Sequence, residues 1–264
     1  MNPNTEKTSL RQRLKDGKTV VGTWLQSGSA VAAEIMALYG FDFIAADMEH
    51  GDVGMKAFYD AARAVGEKSR MFARVQSNDV MSIRKVLDAG ACGVIVPLVN
   101  NAEQAKNAVR AAKYPPLGIR GFAFVRANGW GKDFDNYAKS ANDDVLLAVM
   151  IETKQAVENI DEILEVDGVD AVLIGPYDLS GSYGVTGKLD NPEVLHGMEK
   201  VLEACKRHGV AAGQHIVNPN ETNVKRALEQ GYTFLALGMD TVFIADGAKA
   251  ASSYASLAQR GNKG

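Results

Sequence analysis

The chain has 264 residues, 46% of them hydrophobic and 23% charged, with 29 Lys and Arg against 32 Asp and Glu for a net charge of −3. That length fits one α/β barrel of roughly 250 residues or two small domains, and the composition argues against disorder and fibrous repeats. No basic cluster or RNP-like aromatic run accompanies the near-neutral charge, which argues against nucleic acid and anionic membrane as principal partners.

Taken in chain order, the polar segment 1–16 holds no apolar stretch of signal-peptide length, and apolar runs such as 92–99 are broken well short of the roughly 18 residues of a membrane span. Cys92 and Cys205 lie far apart without C-x-x-C or zinc spacing and read as reduced core thiols, so a cytoplasmic location is expected. Short Val/Ile/Leu/Phe-rich segments then alternate with segments of helical period. Strands are predicted at 19–25, 43–47, 71–75, 93–97, 146–151, 171–174, 210–213 and 234–237. Helices are predicted at 30–39, 55–65, 80–89, 102–112, 155–165, 193–208, 221–230 and 241–257, with Gly40, Gly66, Gly90, Gly209 and Gly231 as stop signals. Eight strand–helix units without a Pro/Ser-rich linker predict a single TIM (β/α)8 barrel over residues 1–264. The irregular stretch 114–142, rich in Pro and Gly, reads as a functional loop or lid, with a tolerated surface insertion as the alternative.

In a barrel the chemistry sits at the C-terminal ends of the strands. There the sequence places Asp47, Glu49 and His50 after strand two, Arg74 at the end of strand three, Glu152 after strand five, and Gly175-Pro176-Tyr177-Asp178 after strand six. Glu152 and Asp178 are hard oxygen donors suited to Mg²⁺ or Mn²⁺. Arg74, permanently charged, suits a carboxylate or enolate oxygen. His50 is the natural proton shuttle, and Asp47, three residues earlier, is placed to hold its imidazole. Backbone N–H groups after Gly175 can cradle a carboxylate or phosphate, with a plain turn as the competing reading. His215 follows strand seven and is a candidate substrate contact, whereas His196 and His208 fall in helical pattern. No G-x-G-x-x-G opens a βαβ unit and no Walker A motif is present, which disfavours dinucleotide and P-loop enzymes. Lys154 lies beyond its strand and no predicted strand carries an interior lysine, which disfavours Schiff-base chemistry.

The runs Gly22-Thr23-Trp24-Leu25, Asp47-Met48-Glu49-His50-Gly51, Ala73-Arg74-Val75, Leu87-Asp88-Ala89-Gly90, the segment 114–121, Ile151-Glu152 and Gly175-Pro176-Tyr177-Asp178-Leu179-Ser180 together resemble the HpcH/HpaI aldolase family over about 20–258. The resemblance implies a class II aldolase that reversibly cleaves a 4-hydroxy-2-oxo acid or 2-keto-3-deoxy sugar acid to pyruvate and an aldehyde. It implies a barrel whose last helix is exchanged between subunits, assembled as a homohexamer, a trimer of dimers. Mg²⁺, Mn²⁺ or Co²⁺ would be held by Glu152 and Asp178, acting as Lewis acid on the enolate, with His50 paired to Asp47 as general base and Arg74 on the keto oxygen. Amides near Tyr177 and Asp178 would take the pyruvate carboxylate, with Gly175, Trp24 and His215 lining the substrate site. Glu49 would touch metal-bound water, and Asp88 would reach a neighbouring subunit's site.

The chain departs from the family at Met150, where other members carry Gln, at Gln214-His215, where they are apolar, and at the 121–126 run, which leaves the acceptor aldehyde open. A CoA-thioester lyase of the citryl or malyl type shares the same logic but lacks a basic pocket signature here. A non-catalytic metabolite-binding barrel is compatible with the fold alone.

Overall fold

Segments that are apolar on both faces need cover on both sides, and a parallel barrel provides it. In the computed structural model, which describes residues 8–261, the strands β1 Val20–Leu25, β2 Phe43–Asp47, β3 Arg70–Arg74, β4 Gly93–Val96, β5 Leu146–Ile151, β6 Ala171–Ile174, β7 Ala211–Ile216 and β8 Phe234–Met239 pair in parallel. They close into a barrel in the order β1 to β8. Inside, the Phe43 ring stacks on Phe72 at 4.7 Å and on Phe234 at 5.1 Å. Glycine at 22 and 93 makes room for these rings, since a Cβ at either would stand 2.5 Å from Phe43 or Phe72. The outward residues, among them Leu25, Ile44, Val94, Leu147 and Val172, are fully buried against the helices.

Between the strands run α2 Ala30–Ala37, α3 Met55–Val65, α4 Val80–Asp88, α5 Ala102–Ala112, α10 Pro192–His208 and α11 Glu221–Gln230. Ser29, Asp79, Asn101, Asn191 and Asn220 cap five of them by accepting backbone N–H bonds. Leu14, on α1 Leu10–Lys15, is buried below the barrel, and Arg11 pairs with Asp170 at 2.6 Å.

Several expectations need correction. The segment 155–165 is two helices, α7 Lys154–Glu158 and α8 Ile160–Leu164, broken at Asn159, whose side chain donates to Asn100 O at 2.9 Å. The irregular stretch contains a 3₁₀ turn, Arg126–Gly131, and a full helix, α6 Phe134–Asp144. Lys113 and Asn142 tie α6 to the end of α5 through Lys113 Nζ to Asn142 O at 2.6 Å and Tyr114 N–H to Asn142 Oδ1 at 2.7 Å. β7 continues past Gly213 to Ile216, and Gly175 is the N-cap of a short helix, α9 Pro176–Ser182. Gly40 stands beyond the end of its helix, which stops at Ala37, whereas Gly66, Gly209 and Gly231 are C-caps.

The last element, α12 Asp240–Gly261, is buried at Asp240 only; from Thr241 onward its described side chains, Val242 excepted, are exposed. Among the described residues no helix is long and apolar enough to cross a membrane. Residues 1–7 of the polar start read above lie outside the described residues.

Candidate active site

The C-terminal rim gathers the residues that end β2, β3, β5 and β6. Asp47 pairs with Arg74 across adjacent strands in register, and the pairing is two-pointed: Arg74 Nε donates to Oδ1 at 2.9 Å and Nη2 to Oδ2 at 2.7 Å. Asp47 is 1% exposed. Burial opposes its charge, and the Arg74 guanidinium overrides that effect and holds its carboxyl below the usual range. With Nε and Nη2 engaged, the third guanidinium nitrogen, Nη1, faces Glu49 Oε2 at 3.3 Å and lies over Met150 Sδ at 4.0 Å. The guanidinium also sits 4.8 Å over the Trp24 ring.

His50 and Asp47 do meet, but not as the sequence suggests. Asp47 Oδ1 accepts the backbone N–H of His50 at 3.1 Å and of Glu49 at 3.2 Å. The imidazole turns outward, and its nearest carboxylate is Glu49, 3.9 Å from Nε2. The reason is a competition for one carboxylate: the turn after β2 and the Arg74 fork already use its lone pairs.

Glu152 is 3% exposed and accepts the Leu98 N–H at 2.7 Å. Burial, reinforced by Glu49 and Asp178, pushes its carboxyl up to about 7. Glu49 is raised as well, by burial first and then by Asp47 and Asp178, and its Oε2 is buried without a hydrogen-bond donor among the described residues. A Cβ at position 175 would stand 3.0 Å from Glu152 Oε2, so glycine there leaves the space beside the carboxylate open. Three mutually repelling carboxylates served by one arginine form a hard-oxygen donor set that a divalent cation would relieve. The described residues hold no group of three or more His, Cys, Asp or Glu able to enclose a metal.

A cavity of about 490 Å³ opens beside this cluster; its lining includes Trp24, Asp47, Arg74, Met150 and His215, together with Gln214, Asn218 and Arg226. The buried indole N–H of Trp24 has no partner among the described residues. His215 packs on Trp24 at 5.6 Å with Nε2 3.3 Å from Gly238 O, and burial pushes its imidazole down to about 4, so it is neutral near pH 7. Gly175, Tyr177 and Asp178 line the same cavity, with Tyr177 and Asp178 in the first turn of α9.

Asp88 lies elsewhere: it pairs at 2.9 Å with Arg120, a fully buried arginine that stacks on Tyr114. His208 pairs with Asp161 at 2.9 Å, and His196 is exposed on α10. The sequence reading missed Gln26, Asp240 and Arg226. Their positions just past β1, just past β8 and in the helix after β7 are the signal that could have found the first two, since each follows a strand on the working rim.

A sequence profile of the HpcH/HpaI aldolase/citrate lyase family matches residues 20–246. A 4-hydroxy-2-oxo-heptane-1,7-dioate aldolase from Salmonella heidelberg (strain SL476) is 39% identical over 247 residues, covering 92% of this chain and 93% of that one. The fold is similar to an HpcH/HpaI aldolase/citrate lyase family protein from Burkholderia cenocepacia J2315, at TM-score 0.88 and 31% identity over 94% of this chain and 98% of that one. An HpcH/HpaI aldolase from Desulfitobacterium hafniense DCB-2 is similar at TM-score 0.81 and 32% identity over 92% and 96%.

Proposed function

Because the chain belongs to the HpcH/HpaI aldolase/citrate lyase family and is a carbon–carbon lyase, we propose that it reversibly cleaves a 4-hydroxy-2-oxo acid or 2-keto-3-deoxy sugar acid to pyruvate, or a related 2-keto acid, and an aldehyde. The observation that carries this reading is the Arg74 fork: Asp47 engages two of its nitrogens, and Nη1 is left facing the carboxylate cluster at the cavity. A permanent cation held by Asp47 on one side, with Nη1 turned instead toward Glu49 and the weak acceptor Met150 Sδ, suits an oxygen that gains negative charge as the C3–C4 bond breaks.

A Mg²⁺, Mn²⁺ or Co²⁺ ion bound by Glu152 and Asp178 would supply Lewis-acid polarisation of the 2-keto acid. Arg74 donates to the keto oxygen and stabilises the enolate. The N–H groups of Tyr177 and Asp178 take the adjoining carboxylate, in the favourable first turn of α9. His50 removes the C4 hydroxyl proton in cleavage and returns it in synthesis. Glu49, between Arg74 at 3.3 Å and the His50 ring at 3.9 Å, is the carboxylate beside that proton path. Asp47 serves this step by holding Arg74 rather than the imidazole. Trp24 and neutral His215 wall the reacting carbons on the far side of the barrel mouth.

For the acceptor, Gln214, Asn218 and Arg226 add polar groups to the cavity lining. They suit an aldehyde with a polar or acidic end, the chemistry in the name of the heptane-1,7-dioate relative. The long exposed face of α12, next to exposed Val31, Ile35, Leu38 and Tyr39 on and just past α2, supports a homo-oligomer with α12 exchanged between subunits and a hexamer built from dimers. The free thiols of Cys92 and Cys205 support a reducing, cytoplasmic setting.

The test is retro-aldol cleavage of 4-hydroxy-2-oxo acids, followed as pyruvate released with Mn²⁺ or with chelator. Metal-dependent release, slowed about 100-fold or more in His50→Ala, is the expected result; unchanged release in chelator or in the variant would refute the reading. Arg226→Met should cost about tenfold in kcat/KM on substrates with a terminal carboxylate and leave neutral ones within twofold.

A further inference from the structure

Gln26 follows β1 at the barrel mouth and is held at four points. Its backbone N–H donates to Asp240 Oδ1 at 2.7 Å, and its carbonyl accepts the Asp52 N–H at 2.8 Å. Its carboxamide oxygen accepts the Thr241 hydroxyl at 3.0 Å, and its Nε2 donates to Asp47 Oδ2 at 3.2 Å. Asp240 is 2% exposed, and its second oxygen accepts both the N–H, at 3.1 Å, and the hydroxyl of Ser27. The first turn of α12 therefore fixes both the backbone and the side-chain orientation of residue 26. An amide can be turned either way, but the ionised Asp47 carboxylate only accepts, so the NH₂ group must face it and the amide oxygen is left for the Thr241 hydroxyl.

The five donors around Asp47 divide unevenly. Oδ1 accepts Arg74 Nε and the backbone N–H groups of Glu49 and His50, and that oxygen is fixed by the chain itself. Oδ2 accepts only Arg74 Nη2 and Gln26 Nε2. Without Gln26 the only group on Oδ2 is the guanidinium that Asp47 has to orient, and the carboxylate can swing about its anchored oxygen and take Nη2 with it. We propose that Gln26 is a positioning residue for Arg74: it transmits the placement of the first turn of α12 through Asp47 to the guanidinium that faces the cavity. The seating of the last helix and the aim of the site's arginine are thus one hydrogen-bonded unit, running Asp240 and Thr241, Gln26, Asp47, Arg74.

The proposal rests on the pyruvate-activating reading of Arg74, and two readouts separate their failures. The first is the rate of pyruvate methyl proton exchange in D₂O with Mn²⁺. Gln26→Leu, of similar size but without the amide, should lower the rate about tenfold, Thr241→Val about threefold, and Gln26→Glu, which sets a second carboxylate against Oδ2, about 100-fold at pH 8. Melting temperatures should stay within a few degrees of the native protein, which a merely structural role for the residue would not allow. The second readout is a crystal structure of Gln26→Leu, in which Asp47 should rotate and its Oδ2 contact to Arg74 Nη2 should open. An unchanged two-point Asp47–Arg74 pairing in that variant, or a rate within twofold of native, overturns the proposal. If the native protein exchanges no pyruvate protons, the reading of Arg74 fails and the crystal structure alone decides the role of Gln26.

Discussion

Glu152→Gln should stabilise the protein in the absence of metal, and the size of the effect follows from one carboxyl. Glu152 is 3% exposed and holds its proton up to about 7 in the fold, against 4.5 for an ordinary glutamate. A folded pKa above the unfolded one means that the fold binds more protons over that interval, so stability is complete below pH 4.5 and is lost as pH rises through 7. Full ionisation costs about 3 kcal/mol. Glutamine keeps the carbonyl that accepts the Leu98 N–H and has no charge to lose. In chelator the variant should therefore exceed the native protein by about 3 kcal/mol at pH 8 and only about 1 kcal/mol at pH 5. At roughly 2–4 °C per kcal/mol for a chain of this size, melting at pH 8 should rise by about 6–12 °C. Added Mn²⁺ should raise the native melting point at pH 8 and leave the variant where it was. A variant that melts at or below the native protein at pH 8 in chelator would refute both the buried charge and its assignment to cation binding.

Two further changes probe the rim. Gly175→Ala places a Cβ 3.0 Å from the Glu152 side chain and should displace its carboxylate; Mn²⁺ titration should show affinity weakened about tenfold, which is about 1.4 kcal/mol, with little change in melting temperature. His215 resists protonation down to about 4 while the unfolded chain takes its proton near 6.5, so this group makes the protein lose stability as pH falls between those values. His215→Leu should remove that loss, gaining about 2–3 kcal/mol at pH 4.5 in denaturant titrations relative to its difference at pH 8.

The barrel was legible because its strands are buried on both faces and its helices start on capping residues, so runs such as 146–151 and caps such as Asn101 carry the signal locally. The rim carboxylates and Arg74 were legible from their place at strand ends. What escaped has a common physical cause. The end of β7 carries Gln214 and His215 because the upper part of a barrel strand faces polar ligand space, and polar residues there read as loop. The polar sequence of α6 has weak helix propensity, and the helix is held by tertiary contacts such as Tyr137 to Arg120 at 3.1 Å. The Asp47 partner was misjudged because sequence spacing favours the neighbour three residues on, whereas the partner two strands share in register is Arg74. Gln26 carries no charge, and its importance arises from four contacts that only the closed barrel brings together.

In the proposed reaction Arg74, beside a cation held by Glu152 and Asp178, generates the pyruvate enolate. The most direct measurement is deuterium incorporation into the pyruvate methyl group, followed by NMR in D₂O. The native protein should exchange these protons with Mn²⁺ or Mg²⁺, stop in chelator, and lose the exchange in Arg74→Ala. Exchange no faster than buffer, or exchange indifferent to both chelator and the Arg74 substitution, would contradict it.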